Sequence, residues 1–460
     1  MDMSSQRMSN TVDRRMKVIH LPFCYWPDPA GGTEVYVESL AREQQGQGLE
    51  VMVAAPGTEE QNYLHNGVKV RRFPVAQQVQ NLQDVYGEGD AIAADAFVHV
   101  LDAEQPDIVH LHAFTRGVSL RVARAAKQRG IPVVFSYHTP AASCPRGTLL
   151  HWGTDTCDGV LDIKRCSACV LHSLGLNRNV SALLGSLPQS AGRALGSRGL
   201  SGGIWTALRM TELIALQHAA FGALMAEVDH VVALCEWVKQ LLFRNGVPEE
   251  KVTISRQGLC HADEGTPAVG QIRLPRQRLR MIFLGRLDPP KGVHILIEAM
   301  RTAREVPIDL DIFGVAQGEG GTEYLQRLKQ AAQGDPRISF HDPVPARDVV
   351  SKIREYDLLA VPSQWLETGP MVVLEAFAAE VPVIGSNLGG IVELVTHGVD
   401  GLLIEPRSIA DWASGLRKIS TQPAVLAKLR SGIRPPRRIS ESARDMANLY
   451  LTLLPQEAHA

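Results

Sequence analysis

The chain has 460 residues, 45% of them hydrophobic and 21% charged, which excludes bulk disorder and, at about 150 residues per domain, implies roughly two to three domains. Its 40 glycines and 27 prolines follow no collagen-like period, and its seven cysteines are too sparse for a disulfide scaffold. A balance of 47 Lys plus Arg against 49 Asp plus Glu leaves a formal net charge of -2, so no global field advertises a nucleic-acid partner, and none is expected.

Residues 1–15 are polar and aperiodic, carry Arg7, Arg14 and Arg15, and read as a flexible tail without the apolar core of a signal peptide. A cytoplasmic location is the expectation. From Lys17 the runs KVIHLP, EVMVAAP, DIVHLH, PVVFSYH, DHVVAL and KVTIS alternate with helical patterns such as TEVYVESLAREQQ and GVSLRVARAAKQRG, the signature of parallel strands joined by crossover helices. They predict an N-terminal Rossmann-like domain over 16–265.

Within that domain, residues 139–175 form a Cys-rich insertion in which Cys144, Cys157, Cys166 and Cys169 are spaced C-x12-C-x8-C-x2-C. The closing C-x-x-C is a metal-knuckle spacing and four thiolates suit a structural zinc; an iron–sulfur cluster or free redox thiols are the alternatives. Residues 179–228 are apolar, small and weakly charged, punctuated by Arg193, Arg198 and Arg209 after Arg178. They read either as an interfacial helix on anionic lipid, a peripheral contact with the inner face of a membrane, or as helices covering the domain's sheet. The longest uncharged stretch there, Leu213 to Ala226, has 14 residues, whereas a spanning helix needs about 20.

His261 to Arg278 is a weakly periodic linker. The alternation restarts with LRMIFLG, IDLDIFG, RISF, DLLAVPS, VPVIG and GLLI, predicting a second Rossmann-like domain over 279–432. After the breaker RPPRR, residues 439–455 predict a helix packing back on the N-terminal domain. The fold class is therefore α/β, two open-sheet domains facing across a cleft, with the ligand outside the strands' carboxyl ends.

The residues with chemistry to offer follow strands. Gly31 and Gly32 open a helix and leave room for an anion or sugar, although two glycines alone also make an ordinary strand-to-helix turn. Arg286 and Lys291 in FLGRLDPPKG are two cations at a strand end, suited to a diphosphate or simply to a solvated rim. In PSQWLETGPMVVLEAF, Gly369 and Pro370 mark the turn into a helix whose first N–H groups, around Met371 and Val372, face outward. Glu367 in the loop can bind sugar hydroxyls, and Glu375 on the helix can hold a vicinal diol such as a ribose; a capped helix with two surface glutamates is the plain alternative.

Taken in order, GGTE, His138 after a strand, DHVVALCEWVKQLLFRNGVPEEKV, FLGRLDPPKG, the Glu367/Glu375 pair at E-x7-E spacing and SNLGGIVELVTHGVDGLL cover nearly the whole chain. On these motifs the chain resembles a retaining glycosyltransferase of the GT-B fold, glycosyltransferase family 4 (group 1). The resemblance implies a hexosyltransferase of polysaccharide biosynthesis. It would move a sugar from a nucleotide-diphosphate sugar, a UDP-sugar before others, to a glycan or lipid-linked acceptor, with no cofactor required for catalysis. It implies that Arg286 and Lys291 hold the donor diphosphate, Glu375 the ribose and Glu367 the hexose. Gly31 and Gly32 would let the first loop approach, His138 would lie against the hexose, and Gly369, Pro370, Met371 and Val372 would line the phosphates. His138, Glu367, Arg286 and Lys291 form the expected catalytic set, for a same-face substitution in which the leaving phosphate serves as base. Three positions depart from the family pattern: Gln257 replaces a common Asn, Glu380 a usual Gly, and Pro370 a frequent Gly, which removes one phosphate-facing N–H. Asp309 and Asp311 flank Leu310 within a strand and are read as strand positions, not a metal clamp. A non-catalytic sugar-nucleotide-binding protein and a sugar-nucleotide epimerase are the competing functions.

Overall fold

A computed structural model describes residues 15–28, 31–78, 81–200, 202–260 and 278–455. Residues 1–14 of the expected tail and 261–277 of the expected linker lie outside them. The first half of the chain contributes β1 (Lys17–Leu21), β2 (Glu50–Gly57), β3 (Gln61–His65), β4 (Val68–Pro74), β5 (Ile108–Leu111), β6 (Val133–Tyr137), β7 (Leu150–His151), β8 (Asp155–Thr156), β9 (His230–Ala233) and β10 (Val252–Ile254). Eight of these form one sheet in the order β10-β9-β6-β5-β1-β2-β4-β3, and β7 and β8 pair separately.

The central strands β5 and β6 are buried along their whole length, which is why they read as continuous apolar runs rather than alternating ones. One face packs on Phe97, Leu120 and Leu224 from crossover helices. The other packs on Tyr36, Val37 and Leu40 of the helix Gly32–Gly46. The antiparallel β3–β4 hairpin at the sheet edge was missing from the predicted elements. Its two-residue turn, Asn66-Gly67, has φ of 48° and 82° at the two positions, the left-handed pair that matches strand twist in a hairpin. The Asn-Gly dipeptide was the available signal.

In the second half, all six predicted strands form: β11 (Leu279–Arg286), β12 (Ile308–Val315), β13 (Ile338–His341), β14 (Leu358–Val361), β15 (Val383–Ser386) and β16 (Gly401–Ile404). They lie in the order β13-β12-β11-β14-β15-β16, every pair parallel. The order reverses between β11 and β14, and in the first sheet between β1 and β5. Connections that leave opposite ways at such a point open a crevice outside the carboxyl ends.

The C-terminal helix Ile439–Leu453 returns to the N-terminal domain, where Ile439, Ala443, Met446 and Tyr450 join the core cluster of Tyr36 and Leu40. Among the described residues, no helix is long and apolar enough to cross a membrane.

Candidate functional site

The C-terminal half of the crevice is built on the two strands at the switch point. β11 ends at Arg286, and the Asp288 side chain then accepts from the Lys291 N–H, tightening the turn. Gly292 follows at φ 74°, where an added Cβ would stand 1.8 Å from Pro362 O. Only glycine lets the loop after β11 press against the loop after β14. That contact brings Lys291 Nζ to 2.7 Å from Glu367 Oε1. Ser363 Oγ and Trp365 Nε1 donate to the same oxygen at 2.7 Å and 2.8 Å. Glu367 Oε2 receives none of the three, so its lone pairs remain for a ligand. Burial by itself would push the Glu367 carboxyl up, but Lys291 and the two neutral donors outweigh it and hold the group below its ordinary range. Arg286 is more exposed and pairs with Asp288 at 3.3 Å.

Pro370 is the N-cap of the helix Met371–Ala378, whose first N–H groups have no preceding turn to bond. Pro370 itself offers no N–H. Glu375 lies one turn in. Its side chain has no hydrogen bond among the described residues, and burial raises its carboxyl to about 7.

The N-terminal half faces this arrangement closely. An added Cβ on Gly32 would lie 3.6 Å from Met371 Cε, so the predicted loop and the predicted helix meet. The Gly31 N–H donates to Glu34 Oε2 at 2.8 Å. Thr368 Oγ1 donates to His138 O at 2.7 Å, and Trp237 Nε1 donates to Glu367 O at 2.8 Å. Glu393 of the C-terminal domain accepts the N–H groups of Glu236 and Trp237 at 2.9 Å and 3.2 Å, and pairs with Arg256 at 2.9 Å. A narrow crevice between the halves is lined by Arg256, Gln257, Thr368, Gly369 and Glu393. Of the predicted donor residues, Gly32 thus meets Met371 across the crevice, and Lys291 meets Glu367 within the C-terminal half. Asp309 and Asp311 instead pair with Arg278 and Arg280, and Asp311 also contacts His341 and Tyr356.

Three residues absent from the predicted site stand behind His138. His20, His110 and His112 are fully or almost fully buried, and their ring nitrogens come within 4.8 Å of one another, the metal-competent grouping among the described residues. The signal was present as histidines at alternate positions of otherwise apolar strands, IHL and VHLH.

Cys144, Cys157 and Cys166 of the insertion lie close enough for their thiols to act on one another electrostatically. No three of the insertion's four sulfurs fall within that ligand range among the described residues. Cys166 and Cys169 share the helix Ile163–Ser173, but Cys169 Sγ is occupied by the Trp152 N–H at 3.4 Å and donates to Leu150 O at 3.7 Å. Cys144 and Cys157 pack against the N-terminal core, and Cys166 packs with Val170, Leu171 and Met210. Burial raises the Cys166 thiol to about 11. The insertion is tied to the domain by core contacts and by hydrogen bonds such as Asn245 to Gly159 and Leu161. Its Asp155 reaches Arg407 of the C-terminal domain at 3.1 Å.

The segment after it divides between the two readings. The long helix Met210–Glu227 packs Phe221, Leu224 and Met225 into the domain core. The shorter helices Arg178–Leu184 and Gly203–Leu208 instead leave Leu183 and Ile204 each 70% exposed, with Trp205 partly so.

Two family models match the chain: one described as "Glycosyl transferases group 1" over residues 269–444, the other as "Glycosyl transferase 4-like domain" over residues 31–258. A "D-inositol 3-phosphate glycosyltransferase" of Thermomonospora curvata is 26% identical over 422 residues, covering 88% of this chain and 85% of that protein. Among solved structures, Anabaena HepE in complex with UDP and glucose superposes with a TM-score of 0.62 at 17% identity, covering 95% of this chain and 100% of that one. The sucrose-phosphate synthase of Thermosynechococcus elongatus gives 0.65 at 17% identity, covering 95% and 99%.

Proposed function

This chain is a group 1 glycosyltransferase, of family 4, with the GT-B fold, and from that premise we propose that it transfers a hexose from a UDP-sugar with retention of anomeric configuration and without a catalytic divalent metal. The observation that carries the reading is the meeting of Lys291, Ser363 and Trp365 on one oxygen of Glu367, beside His138 across the crevice. In this reading Glu367 Oε2 accepts a hydroxyl of the donor hexose and Glu375 takes the ribose diol. Arg286, Lys291 and the N–H groups at Met371 and Val372 take the diphosphate.

Charge grows on the diphosphate as the glycosidic bond breaks, so two cations and a helix N-terminus stabilise the transition state more than the ground state. The sugar carbon becomes oxocarbenium-like. The acceptor hydroxyl attacks from the face that the phosphate leaves, its oxygen bonds to the anomeric carbon, and its proton passes to the departing phosphate oxygen. Glu367, anchored by Lys291, orients the ring and offsets positive charge on it.

Support for a UDP donor comes from HepE, whose structure holds UDP and glucose. The acceptor is a hydroxyl compound reaching the crevice past the insertion, a glycan, a lipid-linked sugar or, following the relatives' names, an inositol phosphate. Leu183, Ile204 and Trp205, flanked by the exposed Arg178, Arg193 and Arg198, support a peripheral contact with anionic lipid at the cytoplasmic face. The experiment is release of nucleoside diphosphate from UDP-glucose and other UDP-sugars, with EDTA, in the presence of each acceptor class and with anomeric configuration read by NMR. An inverted product, or loss of turnover restored only by Mg²⁺ or Mn²⁺, overturns the reading.

A further inference from the structure

The buried histidines form a directed chain that ends at the site. Alternation in parallel strands places His20 on β1, His110 and His112 at the end of β5, and His138 just after β6 on one face of the sheet, with His20 and His110 paired in register. Gln44 Oε1 lies 2.8 Å from His20 Nε2. His20 Nδ1 lies 2.9 Å from His112 Nε2, and His112 Nδ1 lies 2.9 Å from His138 Nε2. His110 stands beside this chain, held by Tyr450 OH at 2.6 Å and Ser136 Oγ at 2.8 Å.

Two ring nitrogens at hydrogen-bond distance share one proton, since two lone pairs repel and two N–H groups collide. Burial keeps the rings neutral: it lowers His20 to about 4 and His138 to about 3, and holds His112 well below the ordinary range with help from the neighbouring rings. A neutral imidazole has one donor and one acceptor, so the first bond in the row sets all the others. The Gln44 carbonyl oxygen only accepts, which puts the His20 proton on Nε2 and leaves Nδ1 to accept. His112 therefore donates from Nε2 and accepts at Nδ1, and His138 donates from Nε2. What remains is the lone pair of His138 Nδ1, buried and without a partner among the described residues.

We propose that Gln44, His20 and His112 are positioning residues that lock His138 in its Nε2–H tautomer, making Nδ1 an obligate acceptor for a hydroxyl of the donor sugar. The lock stands on the distances above, and the sugar's role rests on the reading of His138 as part of the donor site. A site built around an unmet acceptor favours a sugar that brings a hydroxyl there over one that does not.

The test is a long-range ¹H–¹⁵N spectrum of full-length protein labelled at histidine, with His138 assigned through His138→Asn, followed by titration with UDP-glucose and with UDP. The expected wild-type signal is an Nε2-protonated ring whose unprotonated Nδ1 shifts with UDP-glucose but not with UDP. Gln44→Leu should mix the tautomers and weaken UDP-glucose about tenfold while leaving UDP affinity within about twofold, a split that a merely structural defect would not produce. Gln44→Glu, which still accepts from His20, should restore both. A wild-type His138 protonated on Nδ1 overturns the lock, and so does a zinc ion in purified protein that His112→Asn removes. An Nε2-protonated His138 that ignores UDP-glucose overturns the donor-site reading and the acceptor role with it. Because the wild-type spectrum decides the tautomer, misfolding of Gln44→Leu would not spare the proposal.

Discussion

Lys291 Nζ and Glu367 Oε1 meet at 2.7 Å although 76 positions separate them in sequence, and both side chains are largely buried. The two residues expected to serve different parts of the donor are one electrostatic unit before any donor arrives. Breaking such a pair from one side leaves an uncompensated charge in a poor solvent, at about 3–5 kcal/mol. Lys291→Ala and Glu367→Ala should each lose on that order of stability. The double variant should lose clearly less than the sum, as read by denaturant unfolding. Strict additivity would mean that the pair is not coupled. In turnover, Lys291→Ala and Arg286→Ala should lower kcat at least tenfold, and wild-type kcat in both would remove them from the site.

Glu375 makes donor binding depend on pH. Its carboxyl is raised to about 7 by burial, so at pH 6 it is mostly protonated in the free protein, whereas a vicinal diol is held by the carboxylate, which accepts from both hydroxyls. Binding then releases a proton. Affinity for UDP-glucose, whose diphosphate does not titrate in this range, should therefore rise with pH by up to about tenfold per unit below 7 and level off above it. Calorimetry at pH 6, 7 and 8 checks this, and Glu375→Gln should bind more weakly at pH 8 with no slope. An equal slope in that variant would assign the proton elsewhere.

Glu380 holds φ at 57°, the left-handed region that costs an ordinary side chain about 1 kcal/mol. It ends the helix Met371–Ala378 and is exposed, so no buried contact is lost on shortening it. Glu380→Gly should raise stability by about 0.5–1 kcal/mol, since the relieved strain exceeds the entropy a glycine adds to the unfolded chain. A lower melting temperature than wild type would contradict this.

Glu393 ties the two domains by accepting two N–H groups at the start of the helix Glu236–Arg244 and pairing with Arg256. Glu393→Ala should let the crevice open, enlarging the radius of gyration in solution scattering and lowering kcat/KM several-fold while each domain keeps its fold. An unchanged scattering profile with unchanged kinetics would make the contact incidental.

Period, spacing and punctuation determined much of this protein by themselves. Apolar runs alternating with amphipathic ones yielded two parallel-sheet domains, because strands covered on both faces leave a signal within a few residues. The residues flanking those strands, from Gly32 to Glu375, were legible because ligands of open sheets bind where strands end. Tertiary structure alone decided what those residues do to one another. That Lys291 meets Glu367 depends on β14 lying beside β11, a choice of strand order that no local pattern encodes. The cysteines illustrate the same point, since C-x-x-C spacing is local while the neighbours of each sulfur come from the fold, as Leu150 and Trp152 do for Cys169. The histidine row shows the converse: alternate histidines in apolar strands were visible, but that three strands bring them, and one helix brings Gln44, to hydrogen-bond distance follows from register and packing, which are fixed only when the domain is assembled.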